Sequence, residues 1–195
     1  GCGINRPNNR YSTSMMGMWD LDYTLTANQD PFISANFTFK NTSTMTQHFI
    51  LSVSLPITPA VVPSSLIGGS VGLTLTDSNG DGIGTVSTVM MGAPMYSGDI
   101  DGTGVLPLYP GPTSFSVPFA GGTTVASTFA GLPGPTIPGP AALTSIGITH
   151  KFSLTPGDSV GFTSYFEVIP EPASAGLIAL VCGGGLFIRR RFVMS

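Results

Sequence analysis

The sequence predicts an all-β fold: an antiparallel two-sheet sandwich, jelly-roll-like, followed by one short C-terminal transmembrane helix. Three observations predict it. Apolar and polar residues alternate with period two in six separate runs, the pattern of strands that bury one face. Turn-forming clusters punctuate those runs, and glycine (26) with proline (17) makes 43 of the 195 residues. An uncharged run then closes the chain just ahead of three arginines. Only 9% of residues are charged, against about 25% in typical globular domains. The 42% hydrophobic share, arranged in alternation, still argues for a packed domain over a disordered chain.

The elements follow in chain order. WDLDYTL sets Trp19, Leu21, Tyr23 and Leu25 on one face, opposite Asp20, Asp22 and Thr24. NFTFK turns Phe37 and Phe39 inward, and HFILSVSL does the same with Phe49, Leu51, Val53 and Leu55. VGLTLTD contributes Val71, Leu73 and Leu75. SIGITHKFSL aligns Ile146, Ile148, His150, Phe152 and Leu154, and GFTSYFEV aligns Phe162, Phe166 and Val168. Between them NQDP (28–31), KNTS (40–43), DSNGDG (77–82) and TPGD (155–158) read as turns, with TPGD the clearest hairpin signal. YPGPTSFSVP (109–118) and GLPGPTIPGP (131–140) are too proline-rich for central strands and are expected as surface loops or edges. Six to nine short strands are expected in one domain over 18–169, with an irregular segment over 1–17. The opening GCGINRPNNR has neither an initiator methionine nor an apolar signal core, so a truncated N-terminus is expected.

Charge and cysteine usage narrow the function classes. Three of the seven basic residues are Arg189, Arg190 and Arg191, which leaves four bases against all ten acids in the body of the chain. That body offers no basic footprint to a nucleic acid. Cys2 and Cys182 form neither a CxxC pair nor a zinc cluster, and disulfides are not expected to staple the fold. No phosphate loop or dinucleotide fingerprint is present.

Few residues suggest chemistry. Asp77, Asn79 and Asp81 in DSNGDG match the opening half of a calcium loop, in which alternate oxygens converge on a hard cation. The twelfth position is Thr88, where a bidentate glutamate belongs, so the alternatives are a hairpin turn or a calcium site completed by distant oxygens such as Asp99 and Asp101. No other cofactor is expected. His150 lies on the apolar face of its run and reads as a core histidine, whereas His48 reads as exposed. A Ser-His-Asp site could be assembled in space from either histidine, but nothing singles out a catalytic serine. Ser159, in PGDSVGF, falls at a turn and carries no nucleophile context. No catalytic residue is assigned.

From Ala173 to Ile188 there are sixteen residues without a charge. As a helix they span about 24 Å, somewhat short of a bilayer's hydrocarbon core of about 30 Å, and the arginines that follow can snorkel to its edge. Their position argues for a cytoplasmic end with the body exported. Pro170-Glu171-Pro172, then this apolar segment (173–188), then the arginine cluster resembles the PEP-CTERM sorting signal over residues 170–195. The resemblance implies a substrate of exosortase, a membrane-embedded processing enzyme of Gram-negative bacteria. It implies export, transient retention in the inner membrane, and delivery to the outer envelope or an exopolysaccharide matrix. The expected function is accordingly that of a non-enzymatic structural or adhesive envelope protein. The alternative is a carbohydrate-binding module, with or without calcium, and a hydrolase comes third. Expected partners are the membrane, the processing enzyme and polysaccharide.

Overall fold

The computed structural model describes residues 10–15, 18–28, 31–90 and 92–171. Among them it contains thirteen strands and no helix, arranged as two antiparallel sheets that share one core. The helix expected over 173–188 lies outside the described residues.

The first sheet runs β1 (Arg10–Met15), β2 (Trp19–Asn28), β3 (Phe32–Asn41), β13 (Ser159–Pro170), β5 (Ser65–Thr76) and β10 (Thr123–Ala130), with β11 (Ile137–Gly139) also paired to β5. In the second, β12 (Ser145–Leu154) is central. Strand β4 (Gln47–Pro56) lines one of its edges, and β7 (Tyr96–Ile100) and β6 (Thr85–Ser87) share the other. Beyond those lie β8 (Thr103–Leu108) and β9 (Ser114–Ser116).

The alternation works as expected wherever one face is buried. Phe37, Phe39, Val71, Leu73, Leu75, Ile146, Ile148, Phe152, Leu154, Phe162, Phe166 and Val168 are all buried. Trp19, Tyr23 and Leu25 are half-buried against the same core, beside buried Leu21. Aromatic rings fill the gap between the sheets: Phe39 lies 5.0 Å from Phe152 and Phe152 lies 4.9 Å from Phe162, centroid to centroid. Such offset and edge-on pairs add to the burial of their area. At the other end Tyr96 reaches across from β7 and donates its hydroxyl to the Tyr165 carbonyl on β13 at 2.7 Å. Gly69 makes that reach possible, because a Cβ there would stand 2.8 Å from the same carbonyl and 3.0 Å from the Tyr96 oxygen.

Four expectations need correction. Among the described residues thirteen strands are present, and twelve of them, β2 to β13, belong to the domain in which six to nine were expected. The additional ones are short, interrupted by Gly or Pro, or patterned in reverse. The segment expected to be irregular at the N-terminus includes β1, which pairs along its whole length with β2. TPGD does not close a hairpin, since β12 and β13 belong to different sheets. Thr155 stays with the second sheet, donating its N–H to Thr85 O at 3.1 Å. Asp158 joins the first, accepting from Asn41 N at 2.9 Å, and Gly157 between them takes φ +77. The turn therefore folds one central strand over the other, which stacks their apolar faces. DSNGDG likewise carries the chain across, from β5 in the first sheet to β6 in the second. The two proline-rich stretches do behave as loops and edges, each holding one three-residue strand.

Candidate functional site

The calcium-like loop is built around Asp77, which is 3% exposed. Its Oδ1 accepts from Gly80 N at 2.7 Å, and its Oδ2 accepts from Gly82 N at 2.8 Å and Gly121 N at 2.9 Å. These donors, Gly121 foremost, hold the carboxyl below its ordinary range against the opposing effect of burial. Asn79 Oδ1 accepts from Asp81 N, and its Nδ2 donates to Asp81 Oδ2 at 2.9 Å and to the Pro156 carbonyl at 3.1 Å. Asp81 Oδ1 accepts from Ile83 N at 2.8 Å. The loop oxygens thus brace the loop's own backbone, and the loop is clasped to the TPGD corner. Ser159, the first residue of β13, adds a hydroxyl contact to Ser78 at 2.8 Å.

The two distant carboxylates, Asp99 and Asp101, take their hydrogen bonds outside this loop. Asp101 accepts from the backbone N–H groups of Leu143, Thr144 and Ser145, which pull its pKa down, Leu143 most strongly. Asp99 is held by Ser97 and Thr149. Among the described residues, no three His, Cys, Asp or Glu side chains converge as metal ligands. Asp158 sits under the same corner, 1% exposed, with Oδ1 lacking a partner. Its pKa is raised, first by burial and then by the charges of Asp77 and Asp81.

His150 meets a serine, though not in a catalytic setting. Its Nε2 lies 2.8 Å from Ser164 Oγ, and both residues are buried. Phe37, Tyr96 and Phe162 surround the ring, and Nδ1 has no partner. Burial alone lowers its pKa to about 3. No carboxylate orients the imidazole, so the arrangement is a polar pair inside an apolar core. His48 is exposed on β4.

The outer face of the first sheet offers a surface that the alternation did not point to. Two cross-strand rows, Thr38-Gly161-Thr74-Val125 and Asn36-Thr163-Gly72-Ser127, line an open trough of about 600 Å³. Gly72 and Gly161 form its floor, and a Cβ at either would meet nothing closer than 3.9 Å. The next row places Tyr165 and Phe129 on either side of Ser70, with Phe129 66% exposed. Phe32 packs on Tyr165 at 5.9 Å, so aromatic rings stand at one end of a floor edged by hydroxyl and amide groups.

The chain matches no protein-family model and no curated protein.

Of the residues singled out from the sequence, Asp77, Asn79 and Asp81 come together as a braced loop. Pro170 is the last residue of β13, paired with Ser65, and Glu171 follows it on the surface. Pro172 and the cluster Arg189, Arg190 and Arg191 lie outside the described residues. The trough went unseen because its members are single Thr, Ser and Asn residues from four strands. The usable signal was glycine at outward positions of otherwise alternating runs, as in VGLTLTD and GFTSYF.

Proposed function

We propose that this protein is an exported, non-enzymatic component of the cell envelope or its exopolysaccharide matrix. Its sandwich makes structural or adhesive contact with polysaccharide, and residues 170–195 sort it there. The trough supports the contact reading best. It is long enough to span four strands, carries no charged side chain, and presents hydroxyl and amide groups beside aromatic rings. Neutral polymers are held by that mixture of hydrogen bonds and stacking. The enclosure of His150 and Ser164 in the core fits a non-catalytic role, since a reacting pair must meet substrate.

Filling the trough tests the contact. Gly161→Tyr adds a ring where space is free, so melting should change little while co-sedimentation with exopolysaccharide purified from the producing bacterium falls to background. Unchanged co-sedimentation would remove the trough from the proposal. The address is tested separately. Arg189→Ser, Arg190→Ser and Arg191→Ser together should abolish retention of the chain in the inner membrane. Unaltered fractionation and processing would count against the sorting signal and the transmembrane segment over 173–188.

A further inference from the structure

The outer face of the second sheet holds a smaller and chemically different pocket, of about 340 Å³. It lies on the opposite side of the sandwich from the trough. Asp99 and Lys151 supply its charges, Ser97 and Thr149 its hydroxyls, and Pro94 and Pro107 its apolar walls. The volume sits at the low end of small-molecule sites, the scale of a single ring with its substituents.

Several features aim and open this pocket. Strand β7 turns into β8 through Asp101 (φ 50) and Gly102 (φ 77), the pair of left-handed residues that a tight hairpin demands. The register between the two strands then slips at Gly98/Asp99, and a bulge of this kind redirects the side chain beside it. Ser97 Oγ donates to Asp99 Oδ1 at 2.7 Å, and Thr149 Oγ1 donates to Oδ2. Ser52 Oγ lies 2.9 Å from Thr149 Oγ1 and extends the chain of hydroxyls across to β4. Asp99 is thus fixed by two donors, yet a carboxylate has about four acceptor sites, so capacity is left on both oxygens. Gly104, opposite Asp99 on β8, keeps the approach clear: a Cβ there would fall 2.7 Å from Ser97 Oγ and 3.5 Å from Asp99 Oδ1.

We infer that this pocket binds one neutral sugar ring, with Asp99 accepting from a pair of adjacent ring hydroxyls and Lys151 donating to a third oxygen. The chemistry selects against the alternatives. The Asp99 carboxylate in the lining repels an anionic ligand. Lys151 in the same lining, with only one carboxylate there, disfavours a metal cation, which needs six or more oxygens if it is calcium. An apolar ligand would strip water from Asp99 without replacing its hydrogen bonds. A neutral polyol returns those bonds in charge-assisted form and lays its C–H face on the prolines. The site does not rest on the trough or on the sorting signal, and its test is separable from theirs.

The full chain titrated with glucose, galactose, mannose and glucuronate, followed by amide NMR, reads the proposal directly. At least one neutral hexose should bind saturably, shifting amides over 97–104 and 149–151, and glucuronate should bind more weakly. Asp99→Asn should raise the Kd at least about tenfold, because a charge-assisted pair becomes a neutral one. Lys151→Met, an exposed position, should weaken binding without altering the melting temperature. Gly161→Tyr on the far face should leave the Kd unchanged. Absence of saturable binding by every hexose would overturn the assignment. So would a Kd indifferent to both Asp99→Asn and Lys151→Met, or one that moves only with Gly161→Tyr, which would place sugar binding in the trough instead.

Discussion

Asn41→Ala is expected to destabilise the sandwich by roughly 2–4 kcal/mol, a large effect for removing one uncharged side chain. Asn41 is wholly buried at the end of β3. Its Nδ2 donates to the carbonyls of Leu154 at 2.9 Å, Thr155 at 3.1 Å and Met45 at 2.9 Å. Its Oδ1 accepts from Ser43 N at 3.0 Å and Ser43 Oγ at 2.8 Å. One side chain therefore ties the end of β3, an inner strand of the first sheet, to the last residue of β12 and the residue after it. Alanine would leave the buried Leu154 carbonyl and the part-buried Thr155 carbonyl without that donor, and orphaned buried groups cost more than the bond itself contributed. Asn41→Asp should fare no better, because it sets a carboxylate against the same carbonyls. Urea unfolding should show a lower midpoint with an unchanged slope, the signature of lost stability in a two-state domain. A shift below about 0.5 kcal/mol for both variants would mean that the corner is held by something else.

That corner also marks the boundary of what the sequence discloses. Alternation is a local property, so Phe37 and Phe39, or Phe152 and Leu154, could be placed on an inward face without knowing their neighbours. Partner choice is not local. TPGD carries hairpin chemistry, but whether the next strand pairs beside the last or folds over it depends on Asn41 and Thr85, far away in sequence. Strand β10 was hidden for another reason. Its exposed side bears Val125 and Phe129 while the side toward the core bears small residues, so its pattern is the reverse of a half-buried strand. In the DSNGDG loop, the oxygens that cap backbone N–H groups belong to the same residue types that ligate calcium, and only geometry separates the two uses. The His150–Ser164 pair left a legible trace. Both are polar residues at inward positions of strongly apolar runs, and buried polar groups require partners.

The same pair sets the pH dependence of the fold. An imidazolium at position 150 would need two acceptors, and only Ser164 Oγ is within reach. Burial therefore keeps the ring neutral, with a folded pKa of about 3 against an ordinary value of 6.5. The folded pKa lies below the unfolded one, so the unfolded chain binds the proton first as pH falls, and stability falls with it. The contribution is complete above pH 6.5 and drains away between 6.5 and about 3. Its slope approaches about 1.4 kcal/mol per pH unit, so lowering the pH from 6.5 to about 4.5 should remove roughly 2–3 kcal/mol. Asp77 and Asp101, with lowered values, add losses of the same sign in the more acidic carboxylate range. Asp158, with a raised value, acts in the opposite sense, since the stability it contributes is lost as pH rises. Removing the histidine isolates its share. The double variant His150→Leu with Ser164→Ala takes out the ionisable group and its partner together, leaving no orphan in the core. Its unfolding free energy should fall much less than that of the parent between pH 6.5 and 4.5, with only the carboxylates left to tilt it. Parallel profiles for the two proteins would mean that His150 is protonated within the fold, and the closed, dry core described between β12 and β13 would then be wrong.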